Sequence, residues 1–247
     1  AYDMLVQAES GVVSLTGSPN APAKVGISIA DISAGFYAYS SILTALIQRA
    51  TTGKGERIDI SMLECLTEWV SPPLYVWQGT GTVPARVGVR HNMIVPYGAY
   101  PCSDGQVMFA IQNDAEWRRF CGIVMQQPGL ADDERFNTNP KRLTNREALE
   151  ASIEQRFRDH TRAQVSEWLT MADIATGNVN DVPSVAAHPQ LAARKRWTTV
   201  QSPGGEIPAL VPPHNLKSVK PLMGAVPALG EHTSQILAEL GLPEKPI

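Results

Sequence analysis

Hydrophobic residues recur with helical spacing in a stretch that begins at Asp31 and ends near Thr51. They keep to one face of a 3.6-residue period for about five turns. The positions are Ile32, Phe36, Tyr39, Leu43, Leu46 and Ile47. Gly53 follows, and glycine can adopt the left-handed conformation that closes helices. The pattern therefore predicts a long amphipathic helix that starts at an acidic residue and stops at Gly53.

Short apolar segments flank this helix. Residues 25–30 form a largely apolar run, and residues 57–60 alternate between charged and apolar side chains, so both predict strands. A second helical pattern begins at residue 61 and continues to Trp69. The order strand, helix, strand, helix is typical of an α/β layer with parallel strand pairing. This is the fold class that the first part of the chain predicts.

The rest of the chain divides into a loop region and a second body. Residues 71–105 are rich in proline and glycine and show little periodicity, which predicts a linker. Residues 106–112 predict the strand that opens the second body. The further predicted elements are helices at 114–126, 145–159 and 162–172, a helical or turn-like stretch at 181–195, a hairpin at 197–211 and a last helix at 230–240.

The composition predicts a globular protein without attraction for nucleic acid. The 247 residues are 43% hydrophobic, which is enough for a core, and the net charge of -3 offers no basic surface. No apolar run approaches the roughly 20 residues that span a bilayer, so no membrane association is expected. Three widely separated cysteines lack the spacing of a zinc site or a disulfide framework. They predict reduced thiols in a cytoplasmic protein.

The histidines show no metal-binding pattern. They show neither the four-residue spacing nor the accompanying acids of a metal site, so no metal is predicted. Surface or loop roles are expected for all of them except His91, which we retain as a candidate. The five are His91, His160, His188, His214 and His232.

Asp31 is the first candidate for chemistry. A carboxylate at a helix N-terminus is kept ionised by the helix dipole and by free backbone N–H groups, which suits a nucleophile or a base. Aspartate is also a preferred N-cap residue for reasons of stability alone. The local pattern leaves both roles open.

Two further segments carry candidate binding residues. Residues 86–92 combine two arginines, a histidine and the flexible Gly88, and this loop could hold an anionic ligand or be a solvated linker. Tyr2 and Asp3 could form a polar pair beside a site, or a core tyrosine followed by a surface acid. Their local sequence does not decide between these roles.

Several segments together resemble family III of the CoA-transferases, the group that includes formyl-CoA and carnitine CoA-transferases. The resemblance is spread over nearly the whole chain, and no single segment carries it. The resembling segments are residues 1–11, 25–35, 52–55, 90–91, 96–98, 180–182, 188–190 and 229–233.

The resemblance assigns roles to residues whose local sequence does not decide what they do. The family's nucleophile is an aspartate before a long helix, with a glycine four residues later, and these positions correspond to Asp31 and Gly35. A tyrosine and an acid near the family's site correspond to Tyr2 and Asp3, although some members carry glutamate at the second position. The residues expected to contact CoA or the acid substrate are Tyr2, Asp3, Gly88, Arg90 and His91.

The resemblance implies CoA transfer between small, dicarboxylic or branched organic acids, with coenzyme A entering as acyl-CoA and with no metal. Backbone N–H groups at the start of the helix would stabilise the oxyanions. The same fold hosts α-methylacyl-CoA racemases, which carry a histidine where this chain has Tyr2. Because this chain lacks that histidine, CoA transfer is favoured over racemisation. The glycine run that covers the site in oxalate-related members is missing around Gly88. A racemase, and a non-catalytic CoA-binding or assembly subunit, remain alternatives.

The resemblance also implies an architecture. We expect an α/β fold with part of a Rossmann-like large domain, a small α+β domain, and a C-terminal segment that returns to the large domain. Family members form interlocked dimers and have an N-terminal Rossmann-like portion before the segment that Ala1 opens. We therefore expect a homodimer or a companion N-terminal chain. The expected divisions are residues 1–75 (large domain), 76–105 (linker and site loop), 106–210 (small domain) and 211–247 (return segment).

Overall fold

The computed structural model describes residues 1–213 and 216–243. Its internal contacts divide the chain into two units, residues 1–179 and 180–247, and each is described by itself. His214 lies outside the described residues. The domain boundaries that the sequence predicts remain predictions.

Helices dominate residues 1–80. The longest helix ends because Gly53 adopts a φ of 70° and donates its N–H to the carbonyl of Arg49 (2.9 Å). The hydroxyl of Ser61 accepts the N–H of Glu64 (3.3 Å) and thereby starts the next helix. The elements are α1 (Asp3–Glu9), α2 (Val12–Leu15), β1 (Gly17–Ser18), β2 (Ala21–Pro22), α3 (Ile29–Thr52), α4 (Met62–Trp69) and α5 (Ser71–Thr80).

The structure confirms the two predicted helices in this region and corrects the strands around them. Residues 25–28 and 54–60 form no strand, so the strands predicted at 25–30 and 57–60 are wrong. A strand needs a neighbour for its backbone hydrogen bonds, and no described strand pairs with either segment. Parallel pairing is also wrong for the described residues, in which every strand pair is antiparallel. The observed fold is nevertheless a mixture of helices and sheets.

The region predicted as a linker contains regular structure. α5 occupies its first ten residues, with Pro72 and Pro73 in the first turn. Proline is tolerated there because the first N–H groups of a helix have no partner within the helix. The proline-rich sequence therefore marks the start of a helix. The linker prediction is wrong for residues 71–80 and also for residues 97–102, which form a strand.

A three-stranded antiparallel sheet organises the remainder of the first unit. Its strands are β3 (Tyr97–Cys102), β4 (Gly105–Ala110) and β5 (Thr176–Asn178), and Val107 on the central strand lies opposite Tyr100 and Asn178. Val107 and Phe109 are buried, as the two-residue period of a strand requires. The helices of this region are α6 (Asp114–Arg119), α7 (Asn139–Thr144), α8 (Arg146–Phe157) and α9 (Arg162–Met171).

The helices and the sheet enclose one apolar core. α8 packs on β3, α9 packs on β4, and a π-helical turn at Phe120–Val124 extends α6. These helices lie where the sequence predicts them. Large side chains buried in this core are Tyr100, Phe109, Ile111, Trp117, Phe120, Leu149, Ile153, Phe157 and Leu169.

The second unit is smaller and contains the predicted hairpin. β6 (Trp197–Ser202) and β7 (Gly205–Leu210) pair antiparallel, with Ser202 opposite Gly205 at the turn. α10 (Val182–Ala186) and α11 (Pro189–Ala193) precede the hairpin, and α12 (Thr233–Glu239) confirms the last predicted helix. In the part of the chain that the structure describes, no helix is both long enough and apolar enough to cross a membrane.

Candidate active site

Asp31 lies in the first turn of α3, and its side chain is exposed. The helix begins two residues earlier, at Ile29, with Ser28 in the N-cap position. Asp31 is therefore not the cap, and the capping interpretation of this residue is wrong. No hydrogen bond or ion pair connects its carboxylate to any of the described residues. The helix dipole still favours a negative charge at this end.

A different acid performs the capping. Oδ1 of Asp3 accepts the N–H of Ala30 (2.8 Å), the second residue of α3, although the two residues are 27 positions apart in sequence. An N-cap side chain normally accepts the N–H of the second or third helical residue, so Asp3 replaces the cap that Ser28 does not provide. Asp3 therefore lies at the start of the helix that contains Asp31. Its contact with substrate remains a prediction.

Gln7 connects Asp3 to the loop that leads into α3. Its amide nitrogen donates to Oδ2 of Asp3 (2.8 Å) and to the carbonyl of Ile27 (3.2 Å). Its amide oxygen accepts the N–H of Val25 (2.9 Å). The side chain of Gln7 has no solvent exposure, and all these partners come from the first 30 residues. The amide thus holds together α1 and the loop before Asp31.

Gln7 was not singled out from the sequence. The available signal was its spacing from Asp3, because residues four apart lie on the same face of a helix. Gln7 also follows Val6, which packs with Ala30 and Leu66 in a small apolar cluster. A polar residue on the buried side of a short amphipathic helix needs specific partners. The sequence alone could not identify them.

Gly35 lies one turn after Asp31 on the same face of α3. A Cβ atom built at Gly35 would meet no atom within 4 Å, so packing does not require glycine here. Glycine in the middle of a helix costs roughly 1 kcal/mol relative to alanine. The residue leaves the helix surface beside Asp31 open.

Tyr2 lies at the start of α1, and its side chain is 80% exposed. Its carbonyl accepts the N–H groups of Leu5 and Val6 (3.0 and 3.1 Å), so its backbone is fixed while its phenol is free of the core. The interpretation of Tyr2 as a core tyrosine is therefore wrong. A role in binding CoA or substrate remains a prediction.

The loop before β3 is attached to the rest of the first unit at several points. Arg86 donates to the carbonyls of Ser14, Ser18 and Pro19 (2.9 to 3.1 Å), so its guanidinium is already engaged. Gly88 has a φ of 63° and donates its N–H to the carbonyl of Gly17 (2.9 Å). The loop is thus held by backbone acceptors, and the interpretation of this segment as a solvated linker is wrong.

Arg90 lies below the surface and is paired with two acids of α8. Its guanidinium lies 3.3 Å from Glu150 and 3.0 Å from Glu154, and it stacks over the ring of Tyr100 at 4.1 Å. Such a guanidinium neutralises the protein's own carboxylates first. Its predicted contact with substrate is not tested by this geometry.

His91 is fixed by its own loop. Its Nδ1 accepts the N–H groups of Met93 and Ile94 (both 3.1 Å), and its ring stacks on Tyr97 with centroids 5.0 Å apart. An imidazole that accepts at Nδ1 carries its proton on Nε2 and can donate there. Arg146 donates to the carbonyl of His91 (2.7 Å) and secures the loop to α8.

A cavity of about 670 Å³ lies beside this loop. Its polar lining includes His91, Asn92, Arg146 and Thr82. Prolines and aliphatic residues from α5 and the following segment, together with Leu15 and Met93, provide the apolar part. Asp31, Asp3 and Tyr2 do not line it. In the first unit the structure brings Asp3 to the start of α3, and it gathers Gly88, Arg90 and His91 separately, around the loop before β3.

No group of three or more potential metal ligands occurs in residues 1–213 and 216–243. The candidate site that the hydrogen bonds define is the exposed carboxylate of Asp31 at a helix start, with the buried polar network of Gln7 and Asp3 behind it.

Comparison with known proteins places this geometry in context. A family model described as CoA-transferase family III matches residues 1–233. A protein named succinate–glutarate CoA-transferase from Agrobacterium fabrum is 31% identical over 246 residues, which cover 97% of this chain and 60% of that protein. A protein named acetyl-CoA:oxalate CoA-transferase from Acetobacter aceti is 35% identical over 196 residues, covering 78% and 50% respectively.

A solved structure agrees with these sequence matches. The crystal structure of a CAIB/BAIF family protein from Brucella suis superposes with a TM-score of 0.82 at 34% sequence identity. The match covers 97% of this chain and 63% of that structure. The chain therefore spans between 50% and 63% of the length of these proteins.

Proposed function

Because this chain belongs to CoA-transferase family III, we propose that the protein containing it moves CoA between small organic acids and that Asp31 is the carboxylate acylated in the reaction. The observation that carries the proposal is the environment of Asp31. Its carboxylate is exposed at the start of a 24-residue helix and has no partner among the described residues. It is therefore free to attack an acyl group.

The names of the relatives support dicarboxylic acids as the substrate class. Succinate, glutarate and oxalate, which occur in those names, each carry two carboxylates. One carboxylate would bear CoA and the other would remain charged. We propose that the acid substrate of this protein belongs to the same class.

The proposed reaction uses a single protein carboxylate. An oxygen of Asp31 attacks the thioester carbonyl of acyl-CoA and the C–S bond breaks, which leaves a mixed anhydride and the CoA thiolate. The thiolate attacks the aspartyl carbonyl, forms an aspartyl-CoA thioester and releases the first acid. The acceptor carboxylate then attacks this thioester and expels the thiolate. Attack of the thiolate on the acceptor carbonyl yields the new acyl-CoA and restores Asp31.

Stabilisation of the oxyanions requires hydrogen-bond donors near Asp31. The N–H of Ile32 donates to the carbonyl of Ser28 (3.0 Å), and the N–H of Ala30 donates to Asp3. The expectation that helix N–H groups following Asp31 are free is therefore wrong for Ile32. The N–H of Asp31 itself has no acceptor in the described part of the chain, and we propose it as one oxyanion donor.

Partners and location belong to the same proposal. Exposed apolar side chains along α3 support the idea that another part of the protein, a second copy or a companion chain covers this helix. A homodimer and a cytoplasmic location remain proposals.

Replacing Asp31 with asparagine in the complete protein tests the function. We expect the exchange of labelled succinate into succinyl-CoA to fall at least about 1,000-fold, because removal of a covalent nucleophile leaves only binding. Hydroxylamine should convert Asp31 of the acylated wild-type enzyme to the hydroxamate, which mass spectrometry detects. The matched control is Asp114→Asn, since Asp114 is also an exposed aspartate in the first turn of a helix, and it should exchange normally.

The same experiment separates the alternatives. Exchange retained by Asp31→Asn would overturn the assignment of the nucleophile. Deuterium incorporated at the α carbon of a chiral 2-methylacyl-CoA in heavy water, without exchange between acids, would identify a racemase. Binding of acyl-CoA with neither an adduct nor deuterium incorporation would identify a binding subunit.

A further inference from the structure

We propose that Gln7 is a positioning residue for the reaction: its buried amide sets the position of Asp31 by fixing the loop that enters α3. This inference rests on the proposed function, in which Asp31 attacks the acyl group. Gln7 lies 24 positions before Asp31 and acts on it through Asp3 and the backbone. It is therefore not a catalytic residue.

The first support is the chemical match between the amide and its partners. Two acceptors, Oδ2 of Asp3 and the carbonyl of Ile27, face the amide nitrogen of Gln7 at 2.8 and 3.2 Å. One donor, the N–H of Val25, faces its oxygen at 2.9 Å. Only a group that donates on one side and accepts on the other satisfies this set. Glutamate, which has the same length, can only accept when ionised.

The second support is the weakness of the apolar packing of this loop. Ile27 is mostly exposed, and a Cβ atom built at Gly26 would meet no atom within 4 Å. Residues 25–28 belong to no helix or strand. The loop therefore has little apolar packing to hold it. Hydrogen bonds from the one completely buried amide in the region provide that constraint.

The third support is the direct path from Gln7 to the reacting group. The amide nitrogen of Gln7 donates to one carboxylate oxygen of Asp3, and the other oxygen of Asp3 accepts the N–H of Ala30. Ala30 immediately precedes Asp31. Ser33 donates to the carbonyl of Ala30 (2.9 Å) from the buried side of α3. The backbone N–H and the carbonyl of Ala30, the residue next to Asp31, are thus both fixed. A displacement of about 1 Å at a reacting group can lower a rate about 100-fold.

Three variants of the complete protein test this assignment: Gln7→Glu, Asp3→Asn, and the double variant that combines them. Gln7→Glu places a carboxylate against Asp3 and the Ile27 carbonyl. Asp3→Asn turns a donor toward the donor of Gln7. In the double variant, the amide introduced at position 3 can donate to the carboxylate introduced at position 7, and the N–H of Ile29 still donates to the Ile27 carbonyl (2.8 Å). The matched control is Gln48→Glu, the same change at an exposed position on α3.

The measurements are the rate of adduct formation at Asp31 in a single turnover, the affinity for acyl-CoA, and hydrogen exchange of residues 25–31. Each single variant should form the adduct about 10- to 100-fold more slowly. In Gln7→Glu, which changes no residue proposed to contact substrate, the affinity for acyl-CoA should change less than about threefold. Hydrogen exchange of this segment should accelerate. The double variant should recover at least about tenfold of the rate, because three of the four bonds can re-form. Gln48→Glu should resemble the wild type.

Several outcomes would overturn the proposal. One is an unchanged adduct rate in folded Gln7→Glu, and another is a double variant no faster than the singles. If Gln7→Glu does not fold, the double variant decides, since failure to recover a folded and reactive protein would contradict the predicted pairing. A wild-type enzyme that forms no adduct at Asp31 would instead refute the proposed function, and the role of Gln7 with it.

Discussion

In residues 95–179 the apolar side chains close around one core, whereas in residues 1–80 many of them lie on exposed faces of helices. The first set contributes 19 buried residues to a single cluster, and the second contributes three, Val6, Ala30 and Leu66. α3 has 24 residues, of which only Ala30 and Ser33 are buried. The comparison teaches that the position of Asp31 depends on a local polar network rather than on a large core.

The difference between the closed core and the exposed helices has a consequence for function. A sheet with helices packed against it is rigid without further partners, because each element buries its apolar face within the same unit. α3 is held at its start by hydrogen bonds with Asp3 and Ser33 and has uncovered apolar side chains along its length. The site is thus ordered at the one place where the proposed chemistry occurs, while the surface around it stays available for contacts with other chains or ligands.

A matched pair of phenylalanines tests this comparison with the largest expected effect on the free energy of unfolding. Phe109 is 1% exposed on β4, and Phe36 is 64% exposed on α3. Phe109→Ala should lower the free energy of unfolding by about 3 to 5 kcal/mol, because it leaves a cavity in the core. Phe36→Ala should lower it by less than about 1 kcal/mol. Urea unfolding of the 247-residue chain measures both values.

Equal losses in the two variants would break the comparison. They would mean that the face of α3 that contains Phe36 is covered in solution. Unfolding that becomes more difficult at higher protein concentration would then identify a second copy as the cover.

The fold was predictable from the sequence wherever an element carries its own signal. α3, α8, α9 and the β6–β7 hairpin follow from hydrophobic period and turn residues, and the structure has them close to the predicted positions. The strands predicted at 25–30 and 57–60 failed because a strand is defined by its neighbour, which a local pattern cannot supply. α5 was missed because two prolines indicate a loop as strongly as they indicate a helix start.

The candidate site was predictable only in part. Asp31 became the candidate nucleophile because a resemblance to a family supplied a role that its helix position left open, and that role stays a prediction. Gln7 and the capping role of Asp3 were missed, since both depend on bonds between segments about 20 to 30 residues apart that share no local pattern. The engagement of Arg90 with α8 was missed for the same reason, because its two acids lie 60 and 64 positions away.

Two arginines of the core region, one buried and one exposed, provide the second test, and the expected change in the free energy of unfolding is of intermediate size. Arg142 is buried and donates to the carbonyls of Val95 (2.8 Å) and Phe136 (3.0 Å), while Arg118 is exposed and paired with the exposed Asp132. Arg142→Met should lower the free energy of unfolding by about 2 to 4 kcal/mol, since two buried carbonyls lose their donor. Arg118→Met should lower it by less than about 1 kcal/mol. Thermal and urea unfolding check both values.

A small effect of Arg142→Met would contradict this expectation, because methionine removes both the hydrogen bonds of Arg142 and its stacking on Trp117, at 4.7 Å. If the effect is large, Arg142→Lys separates the two contributions, because a lysine retains the charge and cannot form both bonds in the same plane. We expect the lysine variant to lose nearly as much stability as the methionine variant.

Two cysteines, one from each region, give the smallest test, which depends on pH. Burial in the closed core raises the pKa of the Cys121 thiol from 9.0 to about 12, and burial also raises the pKa of Cys65 in α4. Above pH 9 the unfolded chain loses the proton of Cys121 and the folded chain keeps it. The unfolded state then binds fewer protons, so the free energy of unfolding falls as the pH rises. At pH 10 this thiol should account for a loss of about 1.4 kcal/mol.

Urea unfolding at about pH 8 and about pH 10 measures this loss, and the variants Cys121→Ala and Cys65→Ala assign it. Cys121→Ala should be less stable than the wild type at both pH values because of its cavity, but its loss between them should be smaller by about 1.4 kcal/mol. Cys65→Ala should reduce the pH-dependent loss by less. If it reduces the loss as much as Cys121→Ala does, the two thiols are equally shielded from water. In that case the helices of residues 1–80 bury Cys65 in solution as completely as the core buries Cys121, and the contrast between the two regions does not extend to α4.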